Sequence, residues 1–417
     1  MFTSLVDYIN NKCAIDEEYN FDKFKSEFEN TNLLIKEKDD LAIVYYENMG
    51  HPITCLEQMT RSCIVDTKTM KVLVSQQNNI VYNQSADAIL KEYAEYTAQS
   101  FDDMWKQHVV VQECIEGTLI SLFYHNGTWH TSTRRCIDAA MSQWGSKTYR
   151  EMFDELLDVD IDSHNKNHSY VYILVHNENN NIVRRNSSEN KLILCSEMEV
   201  GSLTEIRQTT IRSLKYDYRT MKSELTKMDM RDRKSRTVSN EGFVVKLYEG
   251  ELYKSNYMIL KYQTDLYTKI AEIKPNTCDV QMILCGLYQQ DKLFEYGKYI
   301  TTDASLIASI PPLFKDLANK FLSVYSCTRN KKNPDFYSGL GPEFKKSLFQ
   351  LHGKFVNRCM TSDTTLATES TKSVMPIKKR ITIHDVYHFI KNKPFVELAR
   401  MMTEYNDYGH KLEIPPY

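Results

Sequence analysis

The chain has 417 residues, enough for two or three domains. With 42% hydrophobic and 26% charged residues, its composition excludes a disordered or fibrous protein and fits a globular one. A formal net charge of −3 excludes a global cationic field for polyanions and leaves room only for local basic grooves.

The opening residues, MFTSLVDYINNKCAIDEEYN, carry acids early and lack a basic stretch followed by an apolar run, so no secretory leader is expected. No segment approaches the ~18 uncharged apolar residues of a membrane span, so no membrane partner is expected. The ten cysteines stand at 13, 55, 63, 114, 136, 195, 278, 285, 327 and 359, with no C-x-x-C pair. Reduced, buried thiols of an intracellular, cytoplasmic protein are expected, rather than a zinc ribbon.

Residues 1–40 form a charged, helical lead, with Phe21, Phe24 and Phe28 at helical spacing. From 41 the texture changes to short β-branched and aromatic runs: LAIVYYEN, RSCIVDTKTMKVLVS and NNIVYN. Residues 85–108 return to a helical pattern. Strands resume in HVVVQECIEGTLISLFYHNGTWHTST, where His125 falls in a solvated turn, and a helix is predicted over 136–158. SYVYILVHNENNNIVRRNSSENKLILCSE reads as two strands about a polar connector. Residues 200–238, with alternating charges at helical spacing, read as a solvated helix. EGFVVKLYEGELYKSNYMILKYQTDLYTKI reads as a hairpin turning near Glu249-Gly250, followed by a further strand. Beyond 272 the strand signal fades. Helices are predicted over 280–330 and 343–405, separated by a loop at 328–344, and 361–380 reads as a low-complexity linker. The domain reading is therefore 1–40, 41–272 and 273–417.

Several motifs follow one another along this body. EQMTRSCIVD contains Arg61, and IVYN begins at Ile80. ECIEGTLIS contains Cys114, Glu116 and Gly117. Arg134 closes the next hairpin, and ILVHNENNNIV contains Leu174. EGFV places Glu241 before Gly242, and KYQTDLY runs from Lys261 through Gln263 to Tyr267. In this order they resemble the ATP-dependent RNA ligases of the phage tRNA-repair type, members of the covalent nucleotidyltransferase superfamily. The resemblance spans about 50–270. It implies an α+β fold, with an antiparallel-sheet nucleotidyltransferase (RNA ligase-like) domain followed by a C-terminal all-helical domain.

The resemblance also implies a chemistry. In that family a lysine amine attacks the α-phosphate of ATP, carboxylates hold Mg2+, and further lysines stabilise the developing charge. Here the nucleophile position holds Cys114. Two further lysine positions hold Ile80 and Gln263, and a glutamate position holds Leu174. Arg61, Glu116, Gly117, Arg134, Glu241 and Lys261 are retained as a vestigial nucleotide site.

Four losses of one kind point to a catalytically degenerate, pseudoenzyme chain serving as a structural or binding component of a larger assembly. The family's abundance in phages and large DNA viruses suggests a virion as one location. On this reading no cofactor is expected, and protein partners dock on the helical C-terminal domain. Two rivals remain. One is an active RNA ligase using ATP and Mg2+ through a shifted nucleophile. The other is a nucleotide or RNA sensor without chemistry.

Two features fall outside the resemblance. His384 and His388 in HDVYH share a helix face, as metal ligands can. The glutamate of an H-E-x-x-H pattern is missing, so they read as a surface pair with no metal. RDRKSR at 231–236 reads as a solvated charge run, with RNA-backbone contact as the alternative.

Overall fold

The computed structural model describes residues 5–47, 57, 60–76, 80–184, 189–207, 210–253, 255–300, 303–328, 337–366 and 380–408. The chain divides into two compact units, Met1–Glu272 and Ile273–Tyr417.

The first unit is built from antiparallel sheets. β1 (Leu33–Lys38), β2 (Leu41–Tyr46), β3 (Ser62–Asp66) and β4 (Val72–Ser75) form one sheet in sequence order. A second sheet carries β5 (Val81–Tyr82), β6 (Val109–Cys114), β14 (Ser213–Leu214), β15 (Gly242–Tyr248) and β16 (Tyr257–Gln263), in the order β14-β6-β15-β16-β5. A third carries β7 (Thr118–His125), β8 (Thr128–Ser132), β11 (His168–Val175), β12 (Lys191–Glu199) and β13 (Glu205–Arg207), in the order β13-β12-β11-β7-β8. Two short strands, β9 (Gln143–Trp144) and β10 (Lys147–Thr148), pair as a separate ribbon.

Burial follows the period-2 alternation of strand side chains. Val109 and Val111, with Phe243, Val245, Leu247, Leu260 and Tyr262, pack under the helices Asn83–Tyr96, Phe101–His108 and Tyr218–Ser235. The alternate residues, including Cys114, Lys261 and Gln263, therefore occupy the other face. β2 is buried throughout because both its faces are covered. Ala42, Val44 and Tyr46 pack with Phe21, Phe24 and Phe28 of the N-terminal segment, while Leu41, Ile43 and Tyr45 pack with Phe123 and Val171 of the third sheet.

Five expectations change. The lead is not helical throughout. Its helices are Leu5–Ile15 and Phe21–Ser26, and Leu33–Lys38 is an edge strand whose Lys36, Glu37 and Lys38 mask its alternation. Over 136–158 only Tyr149–Leu156 is α-helical, started by a Thr148–Glu151 capping box after Gly145 turns at φ 68°. In 200–238 the helix begins at Tyr218, capped by Asp217, after the short strands β13 and β14. The segment after the hairpin, Asp265–Ile273, is a helix whose start is held by Thr264 accepting from Tyr267 N at 3.2 Å. His125 is the last residue of β7 rather than a solvated turn residue. Its side chain is only 11% exposed, 4.0 Å from Asp66.

In the second unit the described elements are the helices Val280–Gln289, Leu293–Ile300, Ala304–Thr328, Pro342–Leu366, Ile383–Lys391 and Phe395–Tyr408. The expected linker at 361–380 is helical through Leu366. Positions 367–379 lie outside the described residues, as do 329–336 of the 328–344 loop. Phe321 packs against Phe344 and Phe389 with ring centroids 5.6 and 6.1 Å away. Among the described residues, no helix is long and apolar enough to cross a membrane.

One backbone position governs the register of the second sheet. Gly242 lies at φ 144°, and a Cβ there would stand 1.9 Å from the carbonyl oxygen of Tyr262. Gly242→Ala is expected to cost about 3 kcal/mol or more, from backbone strain plus the clash. Gly353→Ala, in a helix with open space around the new methyl, is expected to gain about 1 kcal/mol. Urea unfolding of the two variants checks both signs.

Candidate active site

The β15–β16 pairing opposes Gly242 with Gln263 and Val244 with Lys261, and β6 sets Cys114 opposite Gly242. This register gathers Cys114, Glu241, Lys261 and Gln263 into one cluster. Lys261 Nζ donates to Glu241 Oε1 at 2.9 Å, and Gln263 Nε2 donates to the same oxygen at 2.8 Å. Cys114 lies beside this pair, within electrostatic reach of both Glu241 and Lys261. Glu241 is 3% exposed and the Lys261 side chain 19%.

Burial decides the protonation of the thiol. Desolvation pushes the Cys114 pKa well above the ordinary thiol value, against the pull of Lys261 and with a contribution from Glu241. Lys261 is desolvated too, but the Glu241 carboxylate, by its charge and its hydrogen bond, holds it as an ammonium, with its pKa raised. For Glu241 burial acts against ionisation, yet Lys261 and the hydrogen bonds win, and its pKa is lowered. The cluster is therefore a neutral thiol beside a satisfied ion pair.

Glu116, expected in the same site, performs a different task. Its carboxylate accepts from the backbone N–H groups of Ile182 and Val183 at 3.1 and 2.6 Å, and from Tyr267 Oη at 3.1 Å. It anchors the chain after β11. Desolvation nevertheless raises its pKa. Gly117 is required by close approach: a Cβ there would lie 2.6 Å from Ile173 and 2.7 Å from the Leu174 carbonyl oxygen. Leu174 does not line the cluster. It is fully buried with Ile120, Leu122 and Phe153, on the face of the third sheet that packs the Tyr149–Leu156 helix. It is a core residue, and the sequence reading that counted it as a lost site glutamate is corrected.

Arg61 precedes β3 and Arg134 follows β8. Desolvation lowers the Arg61 pKa while Tyr82, Cys195, Glu241 and Cys114 favour its charge. Arg134 is brought down to about 10, first by burial and then by repulsion from Arg61 and Arg135. The Nε of Arg61 is buried without a hydrogen-bond partner among the described residues.

Three contributors carried no sequence signal as site residues. Tyr82, 42% exposed, lies in register with Lys261. Cys195 of β12 lies within electrostatic reach of Arg61 and Lys261. Asp232, inside the expected solvated run RDRKSR, is buried. Its carboxylate accepts from Ser239 N at 3.1 Å, from Asn240 N at 3.4 Å and from Ser239 Oγ, which fixes the approach to Glu241. Its neighbour Arg233 pairs with Asp229. An acid flanked by bases was the only signal available.

Glu241 Oε1 accepts from both Lys261 and Gln263, and the Glu116 carboxylate accepts from two backbone N–H groups and Tyr267. Among the described residues there is no group of three or more His, Cys, Asp or Glu side chains arranged to hold a metal.

No family model matches the chain, and no curated protein matches it. Among solved structures it is similar to two forms of an archaeal ATP-dependent RNA ligase. Form 1 shows 12% identity over 67% of this chain and 68% of that one, with a TM-score of 0.39. Form 2 shows 11% identity over 75% and 82%, with a TM-score of 0.43.

Two measurements test the cluster. Alkylation at neutral pH mapped by mass spectrometry is expected to label exposed Cys13 promptly and Cys114 only after unfolding, since the thiolate is the reactive form. Lys261→Met is expected to cost about 3–5 kcal/mol by stranding the Glu241 carboxylate, and adding Glu241→Leu should recover most of it. Glu241 has a lowered folded pKa, so its contribution is complete above the ordinary glutamate value of 4.5 and is lost as pH falls below it. Urea titrations at neutral and acid pH check both statements.

Proposed function

We propose that this chain is a nucleotidyltransferase-fold protein of the RNA-ligase type that has lost the covalent step and acts as a binding or structural component of an assembly. One observation carries the reading. The residue at the nucleophile position is a buried, protonated thiol, and the neighbouring amine, Lys261, is held as an ammonium by Glu241. A lysine nucleophile must be deprotonated to attack phosphorus, and the pKa of Lys261 is moved the wrong way. A shifted nucleophile at Lys261 therefore gains no support. The neutral side chains at 114 and 263 also remove the positive charge that would stabilise a pentacoordinate phosphate.

The sensor reading retains one supporting observation. Arg61 and Arg134 are close enough to repel one another, and among the described residues neither has a carboxylate within ion-pair distance. A bound anion would relieve that repulsion. A partner-binding role draws on the helical unit, where Phe294, Phe349 and Val396 are 70%, 78% and 58% exposed.

Incubation with α-labelled ATP and Mg2+, followed by denaturing electrophoresis, is expected to show no covalent adduct. A labelled band that disappears in Cys114→Ala would overturn the proposal. Calorimetry is expected to give an ATP Kd above about 1 mM, equivalent to a binding free energy weaker than about −4 kcal/mol. Micromolar, Mg2+-independent binding lost in Arg61→Ala would favour the sensor reading instead.

A further inference from the structure

The helix Ile383–Lys391 carries a pair of imidazoles that neither the fold nor the proposed function uses. A capping box fixes its start: Asp385 accepts from the Thr382 backbone N–H at 2.8 Å and from its hydroxyl at 2.7 Å, and Thr382 accepts from Asp385 N. Val386, Phe389 and Ile390 are buried on one side. His384 and His388, one turn apart, are exposed. Their Nε2 atoms lie 3.1 Å apart and their ring centroids 4.2 Å apart. The helix is thus pinned at its start and along its buried face, and the two Nε2 atoms face one another on its exposed side, a small ring rotation away from a shared ligand position.

We propose that His384 and His388 chelate a single late first-row divalent cation, of the Ni2+, Cu2+ or Zn2+ class. The geometry supports this directly. An ion about 2.05 Å from each nitrogen, a typical imidazole bond length, would subtend an N–metal–N angle of about 98°. That value lies between the right angle of square or octahedral coordination and the tetrahedral angle. Neutral imidazole is a borderline donor that suits these ions rather than Mg2+ or Ca2+. Both Nε2 atoms offer lone pairs when each neutral ring carries its proton on Nδ1, a tautomer change with no net loss of a proton. Chelation by two ligands held on one helix avoids most of the ordering cost that separate ligands would meet. Asp385 is occupied by the cap, and Lys391 pairs with Asp291, so neither completes the shell. The remaining positions on the ion are filled by water or by a donor from another molecule. This reverses the expectation of a metal-free surface pair. It does not depend on the reading of the nucleotidyltransferase site.

Titration calorimetry of the full, untagged chain with NiCl2 tests the assignment. Wild type is expected to bind one more Ni2+ per chain than the His384→Ala/His388→Ala double variant. Each single variant should bind that ion at least tenfold more weakly, because chelation is lost. Equal stoichiometry and affinity in the double variant would overturn the proposal, as would full affinity in either single variant. A second readout needs no variant. Ni2+ should protect His384 and His388 of wild type from diethyl pyrocarbonate, mapped by mass spectrometry, and Mg2+ should not. Unchanged modification of both residues in saturating Ni2+ would equally reject the site.

Discussion

The contact between Glu241 and Lys261 is the constraint around which the candidate site is arranged. Removing both charges from water costs several kcal/mol for each ion, and their attraction offsets this only when the remaining lone pairs and protons are answered. Here Gln263 donates to the same carboxylate oxygen as Lys261, and Cys114 lies beside the pair. Further buried cations in one place would be strongly destabilising. A thiol at 114 and an amide at 263 leave one cation facing one anion.

The surroundings hold this cluster by backbone contacts more than by charge. Gly242 lets β15 lie against the carbonyl of Tyr262, which sets the position of Glu241 at the strand's start. Asp232 ties down Ser239 and Asn240 just before it. Glu116 gathers the backbone of Ile182 and Val183 and the hydroxyl of Tyr267. Glu116 and Glu241 thus both serve as hydrogen-bond acceptors for the protein itself, which avoids the cost of leaving buried donors unmet. Among the described residues, the buried Nε of Arg61 has no hydrogen-bond partner, and Arg61 and Arg134 repel one another.

Much of the architecture could be read from local pattern. The alternating runs at 109–114, 118–125, 242–248 and 257–263 became strands, and the segment 83–108 became two helices. Misreadings had local causes as well. β1 was hidden by three charged residues at a sheet edge, and the Asp265–Ile273 helix by the strand that precedes it. Motif order drew attention to Cys114, Glu241 and Lys261, which the structure does bring together. It also drew in Leu174, which strand alternation turns into the opposite core.

The sequence by itself therefore determined most element types and the identity of the side chain at each motif position. These depend on periodicity and conformational preference over a few residues. Only the tertiary structure decided which polar groups answer one another. Glu116 meets a tyrosine 151 positions away, and Asp232 in a charged run turns inward to hold a loop. Strand register and burial set those pairings. They also decide whether a carboxylate or an amine is free for chemistry, because desolvation and partner charge, not residue type, govern the protonation of a buried group.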